Sequence, residues 1–411
     1  MVDTPGLPAR RAALRMMDAV LHRGETLEQA ERSALRHING PADRALARAI
    51  ASEVMRWLVD LDLMIDSATR NRLADDAKAR SVLRLMLVQW LRFDTPPHAV
   101  IATALPLLTG GPRRLAHGVF STLSKREVTL PDGPTPNDAA LLRWGEHAAA
   151  VMGALAEPPP LDLALKDHGE TQKWTEELGG VSLAPGHVRL QRGTPVDELP
   201  GFEQGAWWVQ DIAASLPARL LGPGNAKRVL DLCAAPGGKT MQLAAAGWDV
   251  TALDISERRL ELLRGNLDRT GLMAQVITAD AQKWDPPQPY DAILLDAPCT
   301  ATGTCRRHPD VLHRIGQRQI HEMAQLQQTL LARAAGWLAP GGTLVYAVCS
   351  LEEEEGAGQA GNVPLSPMPI TAQELPAGLL PDAQGWLRTD PSMLPEAGGL
   401  DGFFIGRWTK P

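Results

Sequence analysis

Two cysteines each stand just past an apolar, strand-like run. One run is Tyr290-Asp291-Ala292-Ile293-Leu294-Leu295-Asp296-Ala297-Pro298-Cys299, and the other is Gly342-Thr343-Leu344-Val345-Tyr346-Ala347-Val348-Cys349-Ser350. In an open α/β sheet, ligands and chemistry gather at the carboxyl ends of strands. The chain has only four cysteines and spends two of them at such ends. That pattern points to thiol chemistry, in which the thiolate is the reactive form. Cys233 and Cys305 read instead as small buried hydrophobes, the commonest fate of a free cysteine. A zinc site built from Cys299, Cys305 and His308 would lack a fourth ligand at the usual spacing, so no metal is expected.

A glycine loop follows an earlier strand-like run, in Asp231-Leu232-Cys233-Ala234-Ala235-Pro236-Gly237-Gly238-Lys239-Thr240. Gly237 and Gly238 allow a sharp turn and a close approach of backbone to ligand. Gly238-Lys239-Thr240 imitates the end of a P-loop, but the required first glycine falls at Cys233. The G-x-G-x-x-G spacing of a dinucleotide site is absent. What remains is a ligand with an adenosine part and no pyrophosphate. Carboxylates follow the strand ends in series: Asp254 for ribose hydroxyls, Asp280 for an adenine amino group, and Asp296 beside Cys299. Any one of them alone reads as a helix cap or a solvated loop residue; the series together with the glycine loop reads as a site.

The elements that must hold these residues alternate strand and helix. Arg228–Leu232, Asp249–Leu253, Gln275–Thr278, Ala292–Leu295 and Thr343–Val348 are the expected strands, with helices over Thr240–Ala246, Ser256–Thr270 and Ile315–Leu338. The order implies a doubly wound parallel sheet. Phe403–Trp408 reads as a late edge strand, and Gly356–Pro369 as a loop. From Arg10 to Arg126 the apolar positions recur at helical spacing, as in Ala13, Leu14, Met17, Val20 and Leu21, in Met55, Leu58 and Val59, and in Val82, Leu85, Met86 and Trp90, with Gln89 at a boundary. The expected organisation is multidomain: a helical domain over 1–126, a linker with one short helix over 127–160, a small α/β subdomain over 161–205 with strands near Leu161–Lys166 and His187–Gln191, and an α/β domain over 206–411.

Composition is that of a globular protein with a sizeable core: 44% hydrophobic and 22% charged residues in a chain of 411. No apolar run approaches a membrane span, and Met1-Val2-Asp3-Thr4-Pro5 lacks a signal-peptide pattern. A cytoplasmic, monomeric protein without a disulfide framework is expected. The net charge of −7 hides a split: 19 Lys and Arg face 13 Asp and Glu up to Arg126, giving +6, and the rest carries −13. A basic helical part suits contact with a polyanion.

Taken together, Asp231–Thr240, Asp296-Ala297-Pro298-Cys299, Arg306-Arg307-His308-Pro309-Asp310 and Val348-Cys349-Ser350 resemble the bacterial rRNA cytosine-C5 methyltransferases of the RsmB/Sun type. Trp208-Val209-Gln210-Asp211 and the ending Gly399-Leu400-Asp401-Gly402-Phe403-Phe404 belong to the same pattern, and the N-terminal part resembles a NusB-like RNA-binding domain. The resemblance implies an all-α NusB-like domain followed by an α/β, Rossmann-like class I methyltransferase domain. It implies S-adenosyl-L-methionine as donor, with Cys233, Ala234, Ala235, Pro236, Gly237, Gly238 and Lys239 looped around it and Asp254, Arg259, Asp280 and Asp296 contacting or framing it. The implied substrate and partner is 16S rRNA. The sequence departs from the family at Val348, where threonine is usual, and at Ala102-Thr103 and His117, where an Asn-Glu pair and an asparagine are usual.

The implied chemistry explains the residue types. Cytosine C5 is a poor nucleophile until a thiolate adds at C6 and makes the ring enamine-like. A group at N3 helps as charge builds, which suits Asp296, and a further acid or base is needed for release. The resemblance assigns attack to Cys349 and release to Cys299, with Lys239 near donor or base. The residues alone leave the order of the cysteines open, because DNA cytosine methyltransferases use the Pro-Cys thiol; no Glu-Asn-Val triplet accompanies Cys299 here. Arg306, Arg307 and His308 are candidate phosphate contacts beside a site that takes an unstacked base. Trp207 and Trp208 suit either base stacking or core packing. Two rival functions stand beside the leading one: the same chemistry on tRNA, and a non-catalytic RNA-binding assembly factor.

Overall fold

The structure, a computed structural model, describes residues 6–191, 193 and 195–411; Met1–Pro5, read above for a signal peptide, lie outside them. Two compact units form. The helical unit holds α1 (Leu7–Arg23), α2 (Leu27–Ala34), α3 (Pro41–Arg56), α4 (Leu58–Ser67), α5 (Lys78–Leu91), α6 (Pro97–Ala104) and α7 (Gly110–Lys125), several of which start where the sequence punctuates them. Pro41 opens α3 after Gly40, and a reciprocal cap of Thr26 and Gln29 opens α2. Leu14, Met17, Val20, Val54, Met55, Val82, Leu85, Met86 and Phe120 share one core. Gln89 is buried and not at a boundary; its Nε2 turns back to donate to Leu85 O at 3.0 Å. Ala102 and His117 are exposed, and the Thr103 hydroxyl donates to Ala99 O at 2.8 Å.

The segment after Arg126 is no linker. It holds two helices, α8 (Asp138–Trp144) and α9 (His147–Gly153), and the helical unit runs to Glu157. Val128, Leu130 and Ala156 pack on the helical core. Asp60 Oδ2 accepts from Thr135 N at 3.0 Å, and Arg56 Nη1 donates to Leu155 O at 2.9 Å. Breaker-rich composition forbids long helices there, but polar tethers from α3 and α4 fix the backbone all the same.

The second unit begins at Pro158. Its small antiparallel sheet has the order β2-β1-β3, with β1 (Leu161–Leu165), α10 (Thr171–Glu177), β2 (His187–Leu190) and β3 (Trp207–Val209). Leu163 pairs with Val209, so the expected boundary at 205 cuts through this sheet. Asp162 holds it together from within: Arg189 Nε and Nη2 each donate to its carboxylate at 2.7 Å, and Ile212 N donates to Oδ2 at 3.0 Å.

The large sheet takes α11 (Ile212–Arg219), β4 (Arg228–Leu232), α12 (Gly238–Ala245), β5 (Asp249–Asp254), α13 (Glu257–Thr270), β6 (Gln275–Thr278) and β7 (Tyr290–Asp296) in chain order. After Thr304 the chain leaves this unit and contributes Cys305–Ile315, with the short α14 (Val311–Arg314), to the helical unit. There Arg56 Nη2 donates to Arg306 O at 2.9 Å and Asn137 Nδ2 to Leu312 O at 2.8 Å. Ile315, expected to begin the long helix, therefore belongs to the other unit. The chain returns in α15 (Gln317–Trp337) and β8 (Leu338–Val348). α16 (Ala357–Ala360), β9 (Ser366–Pro367), β10 (Leu387–Thr389) and β11 (Phe403–Thr409) complete the unit, so 356–369 is not simply a loop.

The strand order is β10-β11-β8-β7-β4-β5-β6, with β9 on β11. The central pairings are parallel, and β11 runs antiparallel to β8. β11 is an inner strand, since Phe404 pairs with both Val348 and Arg388. Both faces are covered, which is why β7 reads as an unbroken apolar run. Ile293 and Leu295 pack with residues of α15 on one face, and Ala292 and Leu294 with residues of α11 on the other. Among the described residues no helix is long and apolar enough to cross a membrane.

Candidate active site

β4 runs straight into the glycine loop. Gly237 has φ 105°, and a Cβ there would lie 2.8 Å from Leu263 Cγ, so this turn into α12 requires glycine. The loop is pinned from α13 and β5. Ala234 N donates to Leu253 O at 3.1 Å and Ala235 N to Asp254 Oδ2 at 3.2 Å. Ser256 N donates to Asp254 Oδ1 at 2.9 Å, and Arg259 Nη2 donates to Ala235 O. Asp254 is buried, and these bonds use about half of a carboxylate's lone-pair sites. Gln210 braces the other side. Its Oε1 accepts from Trp208 Nε1 at 2.7 Å, its Nε2 donates to Gln242 Oε1 at 2.8 Å, and its side chain lies against Gly238.

The donor set fits a nucleoside. Asp254 ends β5, and Ile255 directly after it is 69% exposed, an apolar surface beside a carboxylate. Asp280 follows β6 and is partly exposed; its Oδ1 caps the next turn by accepting from Gln282 N at 2.9 Å.

One strand-spacing further along, the two thiols meet. Cys299 Sγ lies 3.5 Å from Cys349 Sγ because β7 and β8 are parallel neighbours. The hydrogen bond with Cys349, and then burial, push the Cys299 thiol well above the usual thiol range. Burial likewise pushes Cys233 up. Lys239 Nζ sits 2.7 Å from Asp296 Oδ2 and 5.4 Å from the Phe403 ring centroid. Burial works against the Lys239 charge, but Asp296 outweighs it, with smaller help from Cys349 and Asp231, and the ammonium is held. Val348 packs on the α15 face with Leu344 and Tyr346, whereas Cys349 packs on the α11 face. The hydroxyl absent at Val348 is therefore absent from the face against which Cys299 packs and not from the Cys349 side.

Asp231 lies beneath this site. Burial pushes its carboxyl up to about 7 despite the bond from Thr240 Oγ1 at 2.6 Å. An unfolded chain gives up that proton near pH ~4. The stabilisation from the bound proton is thus complete below that pH and is lost as pH rises through about 7. Thermal melts of wild type and Asp231→Asn are expected to show the wild type losing ground to the variant between about pH 4 and about pH 7. A difference independent of pH would exclude this.

Cys299, Cys349, Lys239 and Asp296 thus come together, and Cys233 to Gly238 form the loop beside them. Arg259 braces that loop from a side chain still 54% exposed. Arg306, Arg307 and His308 belong to the helical unit. Arg306 is buried, which corrects its reading as a phosphate contact, because a polyanion cannot reach it; Arg307 is half-buried and His308 exposed. Trp207 and Trp208 are both buried, and so pack rather than stack on a base. Sequence reasoning missed Glu355, one of four consecutive glutamates, Glu352–Glu355, of which Glu352 and Glu355 are buried. It also missed Gln210, whose motif was noticed without a role, and Ile255, detectable as an apolar residue directly after Asp254.

A parallel sheet with a glycine loop after its first strand, carboxylates at the next strand ends and an antiparallel strand beyond defines an S-adenosylmethionine-dependent methyltransferase. Residues 218–409 match the family described as 16S rRNA methyltransferase RsmB/F, and residues 7–109 match the NusB family. The chain is 33% identical to ribosomal RNA small subunit methyltransferase B of Salmonella arizonae, over 98% of each chain. It is 34% identical to the protein of that name from Klebsiella pneumoniae, over 85% of this chain and 88% of that one. A methyltransferase homolog protein from Pyrococcus horikoshii superposes with a TM-score of 0.56 at 26% identity, over 67% of this chain and 94% of that one. The chain belongs to the RsmB/F methyltransferase family, with a NusB-family domain at its N-terminal end, and is an S-adenosylmethionine-dependent RNA methyltransferase.

Proposed function

We propose that this protein methylates C5 of a specific cytosine in 16S rRNA, acting in the cytoplasm as a monomer, through a covalent bond between Cys349 and C6. When bound, S-adenosylmethionine supplies an electrophilic methyl group. The Cys349 thiolate bonds to C6, and the displaced electron pair makes C5 nucleophilic. Asp296 contacts N3, with the Lys239 ammonium behind it to feed a proton as charge builds there. Once C5 carries the methyl group, its proton leaves to a base, the C6–S bond breaks, and Cys349 is expelled with its electron pair. Cys299 serves this release. Asp254 and Asp280 hold the donor's ribose and adenine, Arg259 frames the loop, and Arg307 and His308 meet RNA from the helical unit.

What carries this reading is the 3.5 Å approach of two thiols on neighbouring strands, beside a lysine–aspartate pair at 2.7 Å. The test uses the full chain with donor labelled in its methyl group, on small-subunit rRNA and on tRNA. Label is expected at cytosine C5 of the rRNA. Cys349→Ala is expected to give neither product nor covalent RNA adduct, and Cys299→Ala to accumulate adduct. Label in tRNA alone, or attack that survives Cys349→Ala and is lost in Cys299→Ala, would overturn the reading.

A further inference from the structure

We propose that Glu355 is a positioning residue that holds Cys299 in place against Cys349 for the release step. The inference rests on the proposed division of labour between the two cysteines. Both carboxylate oxygens of Glu355 accept from the neighbour of Cys299: Oε1 from Thr300 N at 2.9 Å and Oε2 from Thr300 Oγ1 at 2.8 Å. Glu355 is itself anchored to the strand that carries Cys349, since Tyr346 OH donates to Glu355 O at 2.6 Å.

The residues after the two cysteines are laced together around this carboxylate. Ser350 Oγ lies 3.3 Å from both Thr300 Oγ1 and Thr302 Oγ1. Gly303 N donates to Cys349 O at 3.0 Å. Thr300, Thr302, Ser350 and Glu355 are all buried. A carboxylate taken out of water loses its hydration, and a purely structural filler would be apolar. Here the carboxylate supplies two acceptors aimed at one backbone–hydroxyl pair, which apolar packing cannot do.

The two cysteines depend on it unequally. Cys349 follows β8, which is paired on both sides by β7 and β11. Cys299 sits in irregular chain beyond the end of β7, where Ala297 N donates to Ala347 O at 2.9 Å and Gln327 Nε2 to Pro298 O at 2.8 Å. Burial pushes Glu355 up from the ordinary carboxylate range, and the bonds from Ser350 and Thr300 oppose that shift, in keeping with its enclosure. Loss of the carboxylate therefore frees Cys299 more than Cys349, and spares attack while slowing release.

The experiment uses the full chain with small-subunit rRNA and S-adenosylmethionine. It compares Glu355→Gln, Glu355→Ala, Cys299→Ala and the double variant Cys299→Ala/Glu355→Gln. Turnover of both Glu355 variants is expected to fall by about 10- to 100-fold, with covalent RNA adduct accumulating and KM for RNA unchanged. Glu355→Gln retains the shape and one acceptor, so it is expected to melt close to wild type and to show the smaller effect. In the Cys299→Ala background Glu355→Gln is expected to change neither adduct level nor turnover, because both act on one step. If Cys299→Ala accumulates adduct but Glu355→Gln and Glu355→Ala turn over like wild type, the role of Glu355 is refuted and the cysteine assignment survives. Lower activity without adduct in a Glu355→Gln protein that melts like wild type also refutes it. If Cys299→Ala itself fails to accumulate adduct, the reading beneath the proposal falls, and the proposal with it.

Discussion

Replacing Asp296 by Asn is expected to slow methyl transfer by about 100- to 10,000-fold under saturating RNA and donor, with donor affinity retained. Asp296 ends β7 with its Oδ2 on Lys239 Nζ at 2.7 Å, and Cys299 lies three residues further on. Asparagine keeps the shape but cannot share a proton between Lys239 and a base ring. Its amide also leaves the ammonium without a counter-charge. The Lys239 side chain is only 11% exposed, so stability falls too, by about 1–3 kcal/mol. Stability and chemistry can be separated by the double variant Asp296→Asn/Lys239→Met. With both partners gone the buried charge is gone, and the melting temperature is expected to recover most of the loss while turnover stays low. Single-turnover transfer of labelled methyl and thermal melts on the same samples read the two effects. Recovery of turnover along with stability would show that neither Asp296 nor Lys239 takes part in the chemistry and that the single variant is slow only because it is destabilised.

Arg56→Ala is expected to cost about 3–5 kcal/mol and to loosen the helical unit alone. The Arg56 side chain is 3% exposed. Nε donates to Glu53 Oε1 at 2.8 Å, Nη1 to Leu155 O and Nη2 to Arg306 O, both at 2.9 Å. One guanidinium thus fastens α3, the chain after α9, and the strap contributed by the C-terminal half. Alanine removes the donor that both carbonyls use, and Glu53 must rely on Arg92 at 3.1 Å. Hydrogen exchange is expected to quicken at 128–157 and 305–315 while the amides of β4, β5 and β7 exchange as in wild type. A variant with wild-type denaturation and exchange would mean that the strap is held by its apolar residues. The same tie means that a chain ending at Glu157 lacks an acceptor the helical unit uses.

The readings that were legible in the sequence share a local cause. The central strands are unbroken apolar runs because both faces are covered, and several helix starts carry their own proline, glycine or capping residues. The misreadings arose where a distant partner overrides local composition. The 127–157 segment looks like a linker because it is full of breakers, yet Asp60 and Arg56 hold it. The Phe403–Thr409 strand looks like an edge because it is last in sequence, but β10 returns to cover it. Glu355 went unnoticed within four consecutive glutamates, because Tyr346 and Thr300, which draw it inside, lie elsewhere in the chain. Arg306 looks like a phosphate contact because it follows the catalytic loop, but its chain has crossed into the helical unit and its side chain is buried.

The cysteine pair divides along the same line. Sequence by itself determined that Cys299 and Cys349 stand at the ends of two strands, because alternation and apolar runs are local properties of a strand. Only the tertiary structure decided that these strands are neighbours, that the sulfurs approach to 3.5 Å, and that Lys239 reaches Asp296 from the glycine loop. Strand order and side-chain meetings across 50 or 57 residues depend on how the whole sheet closes on its helices. Pairings of that kind are set by burial and by the hydrogen-bond partners that burial demands, and no window of neighbouring residues contains them.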